Sequence, residues 1–256
     1  MYTFSSKLKT FSIVLMILGL LGIGYGFLTA PKTIEEVEVI LSEQHHDGHG
    51  AHEAHAAPAH HADAKDAHAE VSHDDAHQKH LEHVLHQLAN KPWAAVYVGC
   101  IFFMFIALGI FTFNQIQYAA SAGWSPVLFR VMEGLSVYLL PGSVLFFLLL
   151  LASAGHLNHM FIWMDADVVA NDPIIQGKAA FLNIPFFLIR AVIFLAGWNI
   201  FRILSRRNSL ALDETGDLSY YKKNFKLAAT YLVFFIVTES IASWDWIMSI
   251  DAHWYS

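Results

Sequence analysis

Two opposite charges in this chain stand inside long apolar runs: Arg190 within PFFLIRAVIFLAGW and Glu239 within LVFFIVTESIASW. A charge in hydrocarbon costs at least several kcal/mol unless it finds a partner. Arg190 falls near the middle of its run, and Glu239 lies about eight residues from the far end of the next. Consecutive spans are antiparallel, so the two are expected at comparable depth and within reach of each other across the helix interface. Such a pair either fixes helix packing or forms part of a proton relay, and the residues alone leave both readings open. Asp245 follows six residues after Glu239, then Asp251 and His253, in a stretch that also holds Trp244 and Trp246. Aromatics alternating with acids at a membrane surface suit a polar entrance or a quinone-ring pocket, and equally an ordinary interfacial belt. Arg190, Glu239, Asp245 and Asp251 are therefore the candidate proton-path residues.

His156 and His159 stand three apart at the end of another apolar run. Such spacing puts two imidazoles one helical turn apart, close enough to share a ligand. No second helix carries a histidine to complete buried haem ligation. The pair is grouped with Trp244, Trp246 and His253 as candidates for a quinone site or its entrance, against plain surface histidines. Thirteen of the sixteen histidines crowd between His45 and His86, amid Ala, Asp and Glu. Imidazole binds zinc, nickel and copper, but the irregular spacing organises no defined site, so no metal ligands are assigned. Cys100 is the single cysteine and excludes an internal disulfide, a thiolate zinc site or an iron–sulfur cradle. No Cys-x-x-Cys-His occurs, so no haem is attached covalently here.

These residues need elements to position them. Of 256 residues 55% are hydrophobic and only 14% charged, with a mean hydropathy of +0.43, where soluble domains carry about 25% charged residues. The apolar residues come in unbroken runs long enough to cross ~30 Å of hydrocarbon as helices, and they do not alternate as barrel strands would. An all-α polytopic membrane bundle of about five helices is expected. The spans read as Phe11–Ala30, Trp93–Phe113, Glu133–Ala154, Phe181–Phe201 and Leu227–Ile247. The first resembles a signal peptide, but its length and the poor cleavage context at Thr29–Pro31 favour an uncleaved span.

Three regions follow: 1–30, the first helix; 31–91, an acidic His-rich stretch; and 92–256, a four-helix bundle. The middle region holds twelve acids against four lysines and too few branched aliphatics to bury a core. It reads as a largely disordered loop, with one amphipathic helix over 76–88 set by Leu81, Val84, Leu85 and Leu88. Polar connectors are expected over 114–129 and over the 25 residues before Phe181, and a basic loop over 202–226. The net charge of −7 stems mainly from the middle region and implies no nucleic-acid partner. Lysine and arginine bias places Lys7, Lys9, Arg130 and the basic loop in the cytoplasm, with the His-rich stretch periplasmic. Trp93, Trp163, Trp244 and Trp246 then fall near the outer interface.

Three segments carry a resemblance: Gly123–Arg130 (GWSPVLFR), Gly177–Arg190 (GKAAFLNIPFFLIR) and Ser243–Ser256 (SWDWIMSIDAHWYS). They resemble the ActF family of membrane subunits of alternative complex III, a bacterial quinol:cytochrome c oxidoreductase, within the NrfD/polysulfide-reductase-like proteins. The resemblance covers residues 93–256. It implies about ten spans in two four-helix bundles with flanking helices, so this chain is expected to supply one flanking helix and the first bundle of a longer protein. It also implies a location in the bacterial inner membrane, menaquinone or another quinol as the redox substrate, and haem c and iron–sulfur clusters on partner subunits. Those partners would be the sister subunit ActC, a multihaem cytochrome c, an iron–sulfur subunit and, in some assemblies, a terminal oxidase. The chain would not be catalytic alone. A metal-ion transporter with a His-rich sensing loop, and a passive membrane scaffold, are the alternatives that the residues leave standing.

Overall fold

The computed structural model describes residues 5–46 and 73–253. Those residues are helical, with no strand among them, and five of the helices are long and apolar enough to cross a membrane. The chain forms two compact units, Met1–Pro92 and Trp93–Ser256.

In the first unit, α1 spans Ser6–Thr29. The Ser5 hydroxyl caps it by accepting from the Leu8 amide at 3.3 Å. No residue of α1 is buried, as suits an apolar helix solvated by lipid. A second helix, α2, runs over Ile34–His46, where a loop was expected. Its start has a local cause. Thr33 accepts from the Glu36 amide at 3.4 Å, while the Glu36 carboxylate reaches back to the Lys32 amide at 2.7 Å, a reciprocal arrangement that satisfies amides a helix start leaves bare. The helix expected over 76–88 is present, but it does not stop there. It belongs to α3, His73–Ala119, which continues through Pro92 into the second span. The middle of the His-rich stretch, 47–72, lies outside the described residues.

The second unit is built from α3 beyond Trp93, α4 (Pro126–Leu135) with α5 (Leu139–Ala154), α8 (Ile184–Thr215) and α9 (Ser219–Trp246). Pro141 explains why the third span is two helices. Its ring clashes with a carbonyl four residues back, and the turn before it tightens to a 3₁₀ form over Ser136–Tyr138. Two short helices, α6 (Ala166–Asn171) and α7 (Pro173–Lys178), occupy the connector before α8. Two acids of that connector are caps. Asp165 accepts from the Asp167 amide, and Asp172 accepts from Ile174 and Ile175.

The expected basic loop over 202–226 is instead helix on both sides of a three-residue turn. α8 continues to Thr215, where Gly216 adopts φ +68° and returns its amide to the Leu212 carbonyl, the left-handed cap that glycine adopts without strain. Asp217 then accepts from the Ser219 amide at 2.8 Å and its hydroxyl at 2.5 Å. Those bonds hold its carboxyl below the usual carboxylate range. Likewise, the polar connector expected over 114–129 begins as the last turn and a half of α3, with Asn114, Gln115 and Gln117 buried.

The bundle has an apolar core like that of a soluble domain but an apolar surface as well. Large apolar side chains such as Val98, Phe102, Val144, Ile193 and Val233 are exposed, while Gln115, Asn199, Asn224 and Thr238 are buried. A soluble protein rarely shows so broad an apolar surface; a bilayer solvates it. The chain is therefore a multi-pass membrane protein. Interhelical polar bonds set its register. α8 and α9 run antiparallel, pairing Trp198 with Thr238 (3.0 Å) and the Ser205 carbonyl with Asn224 (3.1 Å). Asn199 donates to Ser143 of α5, Gln115 of α3 donates to Ser205, and Thr112 shares a hydrogen bond with Tyr231. Each such bond is worth about 0.6 kcal/mol in a membrane, so close packing must supply the rest.

Gly197 marks a close approach of α8 to Phe234 of α9. A Cβ there would meet Phe234 Cζ at 2.4 Å. Gly197→Ala is expected to push that ring aside and destabilise the bundle by about 1–3 kcal/mol, seen as a lower unfolding midpoint in detergent. Gly109→Ala, where a Cβ would meet nothing within 4 Å, should leave the midpoint unchanged or slightly raised.

Candidate functional site

α8 starts with Asn183 as its cap, the side chain accepting from the Phe186 amide at 3.1 Å, and Pro185 in its first turn. Arg190 thus stands only two turns inside the helix. Its guanidinium does not make the pair with Glu239 that the sequence led us to expect. It grips Asp245 in a fork, Nε to Oδ2 at 2.6 Å and Nη2 to Oδ1 at 2.7 Å. The reason is depth. Trp198 of α8 binds Thr238 of α9; Arg190 lies eight residues before the one and Asp245 seven after the other, so these two share a level. Glu239 is about 9 Å further along its helix at 1.5 Å per residue. It is half-buried, and its one hydrogen bond is from the Ser243 hydroxyl at 3.4 Å. Among the described residues it has no cation within ion-pair distance.

Asp245 is fully buried and the Arg190 side chain is 18% exposed. Burying two charges costs several kcal/mol each, which only good geometry and further hydrogen bonds offset. Both are present. The second guanidinium nitrogen also donates to the Phe181 carbonyl at 3.1 Å, and the Phe181 ring lies 4.1 Å from the guanidinium carbon. A parallel fork of charge-assisted bonds and a cation over an aromatic face are the two contacts to which the arginine plane is suited.

Behind the pair lies an aromatic cluster. Trp246 is fully buried against Phe146, Phe194 and Trp198, and its carbonyl accepts from the Tyr97 hydroxyl at 2.7 Å. Trp246 is thus a core residue of the bundle. Trp244, on the opposite face of α9, is exposed.

In front of the pair is a cleft of about 400 Å³. Phe181, Leu182, Trp244 and Met248 supply apolar walls, and Lys178 and Asp251 supply charged groups. The stretch after α9 closes one side and is tied back twice. Lys178 Nζ donates to the Ala252 carbonyl at 2.7 Å, and His253 Nε2 lies 2.5 Å from Asp172 Oδ2. That histidine, with the Ile174 and Ile175 amides, holds the Asp172 carboxyl below the usual carboxylate range.

Five residues singled out in the sequence therefore meet around one place: Arg190 and Asp245 as a pair, Trp244 and Asp251 in the cleft wall, and His253 as a tie beside it. His156 and His159 do not line it. Both are exposed, and His156 takes a left-handed φ of +57° just after α5. Among the described residues no three His, Cys, Asp or Glu side chains come close enough to hold a metal ion.

A second ionic cluster, at the opposite end of the bundle, was not singled out. Glu133 of α4 is buried and accepts from Arg130 at 2.7 Å and from Arg206 of α8; Arg130 also binds Asp213 and the Ser209 carbonyl. The three-residue spacing of Arg130 and Glu133 on an otherwise apolar helix was the available signal. No protein-family model and no curated protein matches this chain.

Proposed function

We propose that this chain is a membrane subunit of a bacterial respiratory quinol:cytochrome c oxidoreductase of the alternative complex III type, supporting quinol oxidation and proton translocation. In this reading it sits in the cytoplasmic membrane with its basic end inside and the His-rich stretch periplasmic. The observation that carries it is the meeting of two of the three resembling segments at one site. Arg190 from Gly177–Arg190 and Asp245 from Ser243–Ser256 close a buried ion pair directly behind a cleft that both segments line.

The cleft suits an oxygen-substituted aromatic ring. Phe181, Trp244 and Met248 offer apolar and aromatic surface, while Lys178 and Asp251 offer a donor and an acceptor at its edge. A quinol would supply two electrons and two protons. The role of this chain's residues is then to orient and to move protons. The Lys178 ammonium and the Phe181 ring position the head group. Asp251 is an exposed carboxylate at the cleft and passes protons outward. Glu239 stands deeper on α9 and takes the inner step of the proton path, as carboxylates within spans often do. Haem c and iron–sulfur clusters belong to partner subunits, among them the ActC-like sister, and this chain is not catalytic alone.

The test is purification of the intact complex through a tag on this chain, then turnover and proton-uptake assays in proteoliposomes. Glu239→Gln is expected to assemble and to pass electrons while fewer protons move per electron. Multihaem and iron–sulfur companions should co-purify. If every substitution of an intramembrane charge leaves both readouts intact, the subunit is a passive scaffold. Deleting residues 45–86 should leave quinol turnover intact in a respiratory subunit; if the deletion instead abolishes metal sensitivity, the chain is a metal-ion transporter.

A further inference from the structure

Arg202 lies one turn before Arg206 on α8, on the helix face that also carries Trp198, Asn199, Ser205 and Ser209. Every other ionised side chain on that face is matched. Arg206 holds Glu133, and Arg130 holds both Glu133 and Asp213. Arg202 is half-buried, its Nε is out of solvent with no hydrogen-bond partner, and among the described residues no carboxylate reaches it. The three arginines face two acids, which leaves one positive charge uncompensated. It falls where the apolar run of α8 ends, flanked by the outward-facing Ile203, at the level expected for lipid head groups. A guanidinium cannot shed its proton there, so it needs an anion.

We infer that Arg202, backed by Arg206, binds the phosphate of an anionic phospholipid whose acyl chains descend past Ile203. The single excess charge matches a head group of net charge −1, which a zwitterionic lipid lacks. The planar donor fork matches phosphate oxygens, and basic pockets beside spanning helices at the head-group level are the usual form of such sites.

Native mass spectrometry of the full chain, released from nanodiscs of mixed phosphatidylglycerol and phosphatidylethanolamine, tests this. Wild type should retain one phosphatidylglycerol at energies that strip phosphatidylethanolamine. Arg202→Gln should weaken that retention about tenfold, as loss of a charge-assisted contact implies, and Arg202→Lys should fall between. Arg207→Gln, on the exposed side of the same helix, should retain the lipid as wild type does, which separates this contact from general surface charge. Displacement of the lipid by inorganic phosphate in millimolar excess would make the ligand a soluble anion and overturn the lipid assignment. Equal retention by wild type and Arg202→Gln, with both folded by circular dichroism, would overturn the site itself.

Discussion

Replacing Asp245 by alanine is expected to lower the stability of the bundle by about 3–5 kcal/mol, the usual cost of removing one partner from a buried ion pair. The loss does not measure what the pair contributes. It measures what Arg190 suffers when left without its carboxylate. Arg190 is 18% exposed, so water relieves only part of that, and the Phe181 carbonyl and ring satisfy one nitrogen and one face. The reciprocal change, Arg190→Ala, leaves Asp245 with no solvent at all and should cost at least as much. A double change to apolar residues of similar size, Arg190→Met with Asp245→Leu, should recover most of the loss, because no charge then remains to desolvate. Unfolding midpoints in one detergent across the four proteins give the comparison. A double variant as unstable as the singles would show that the fork itself, rather than the unpaired charge, holds α8 to α9.

The function proposed above adds a second readout to the same set. If the pair only fixes the cleft, the restored apolar variant should fold and bind but keep a normal dependence of turnover on pH. If the charges carry protons, it should fold and lose proton coupling. The two roles that the sequence left open for a buried Arg–acid pair are separated by this variant.

Apolar runs mark the five spans plainly, because nothing but a bilayer tolerates so many exposed Phe, Leu, Ile and Val side chains. Their ends were read less well, and for one reason. Hydropathy records where hydrocarbon stops, whereas a helix stops where its caps are. α8 passes from apolar to polar at Arg202 yet runs to Gly216, since Ser205 and Ser209 pack inward against Gln115, Asn224 and Arg130. The error over Arg190 has the same origin. Starting the fourth span at Phe181 put Arg190 near mid-membrane and level with Glu239. The helix ends are not level with each other, so residues counted from them mislead; the Trp198–Thr238 bond shows the register that brings Arg190 level with Asp245. Asp245 was among the chosen residues for its polarity, but its partner could come only from register. Glu133 was hidden differently: it stood at an expected boundary, where a charge attracts no notice.

Glu133→Ala is expected to destabilise the opposite end by about 2 kcal/mol, less than Asp245→Ala, although Glu133 is almost as buried. The difference lies in the cations. Arg130 and Arg206 are each more than a third exposed, so water screens them once the carboxylate is gone, and the buried-pair figure must be discounted accordingly. What remains is repulsion among Arg130, Arg202 and Arg206, with only Asp213 left to offset it. Asp213 is 61% exposed, and Asp213→Asn should stay within about 0.5 kcal/mol of wild type. Salt separates the two causes. Added salt should erase the small effect at Asp213 and ease only part of the larger one at Glu133, where the screening ions do not reach. Arg190 and Arg206 are about 24 Å apart along α8 at 1.5 Å per residue, and share no partner. The losses from Asp245→Ala and Glu133→Ala should therefore add to within about 0.5 kcal/mol. α8 would then act as a strut clamped independently at its two ends, to α9 by Asp245 and to α4 by Glu133. A double variant that falls well short of the sum would mean that the first break already releases the far end, and that the bundle unfolds as one piece from either clamp.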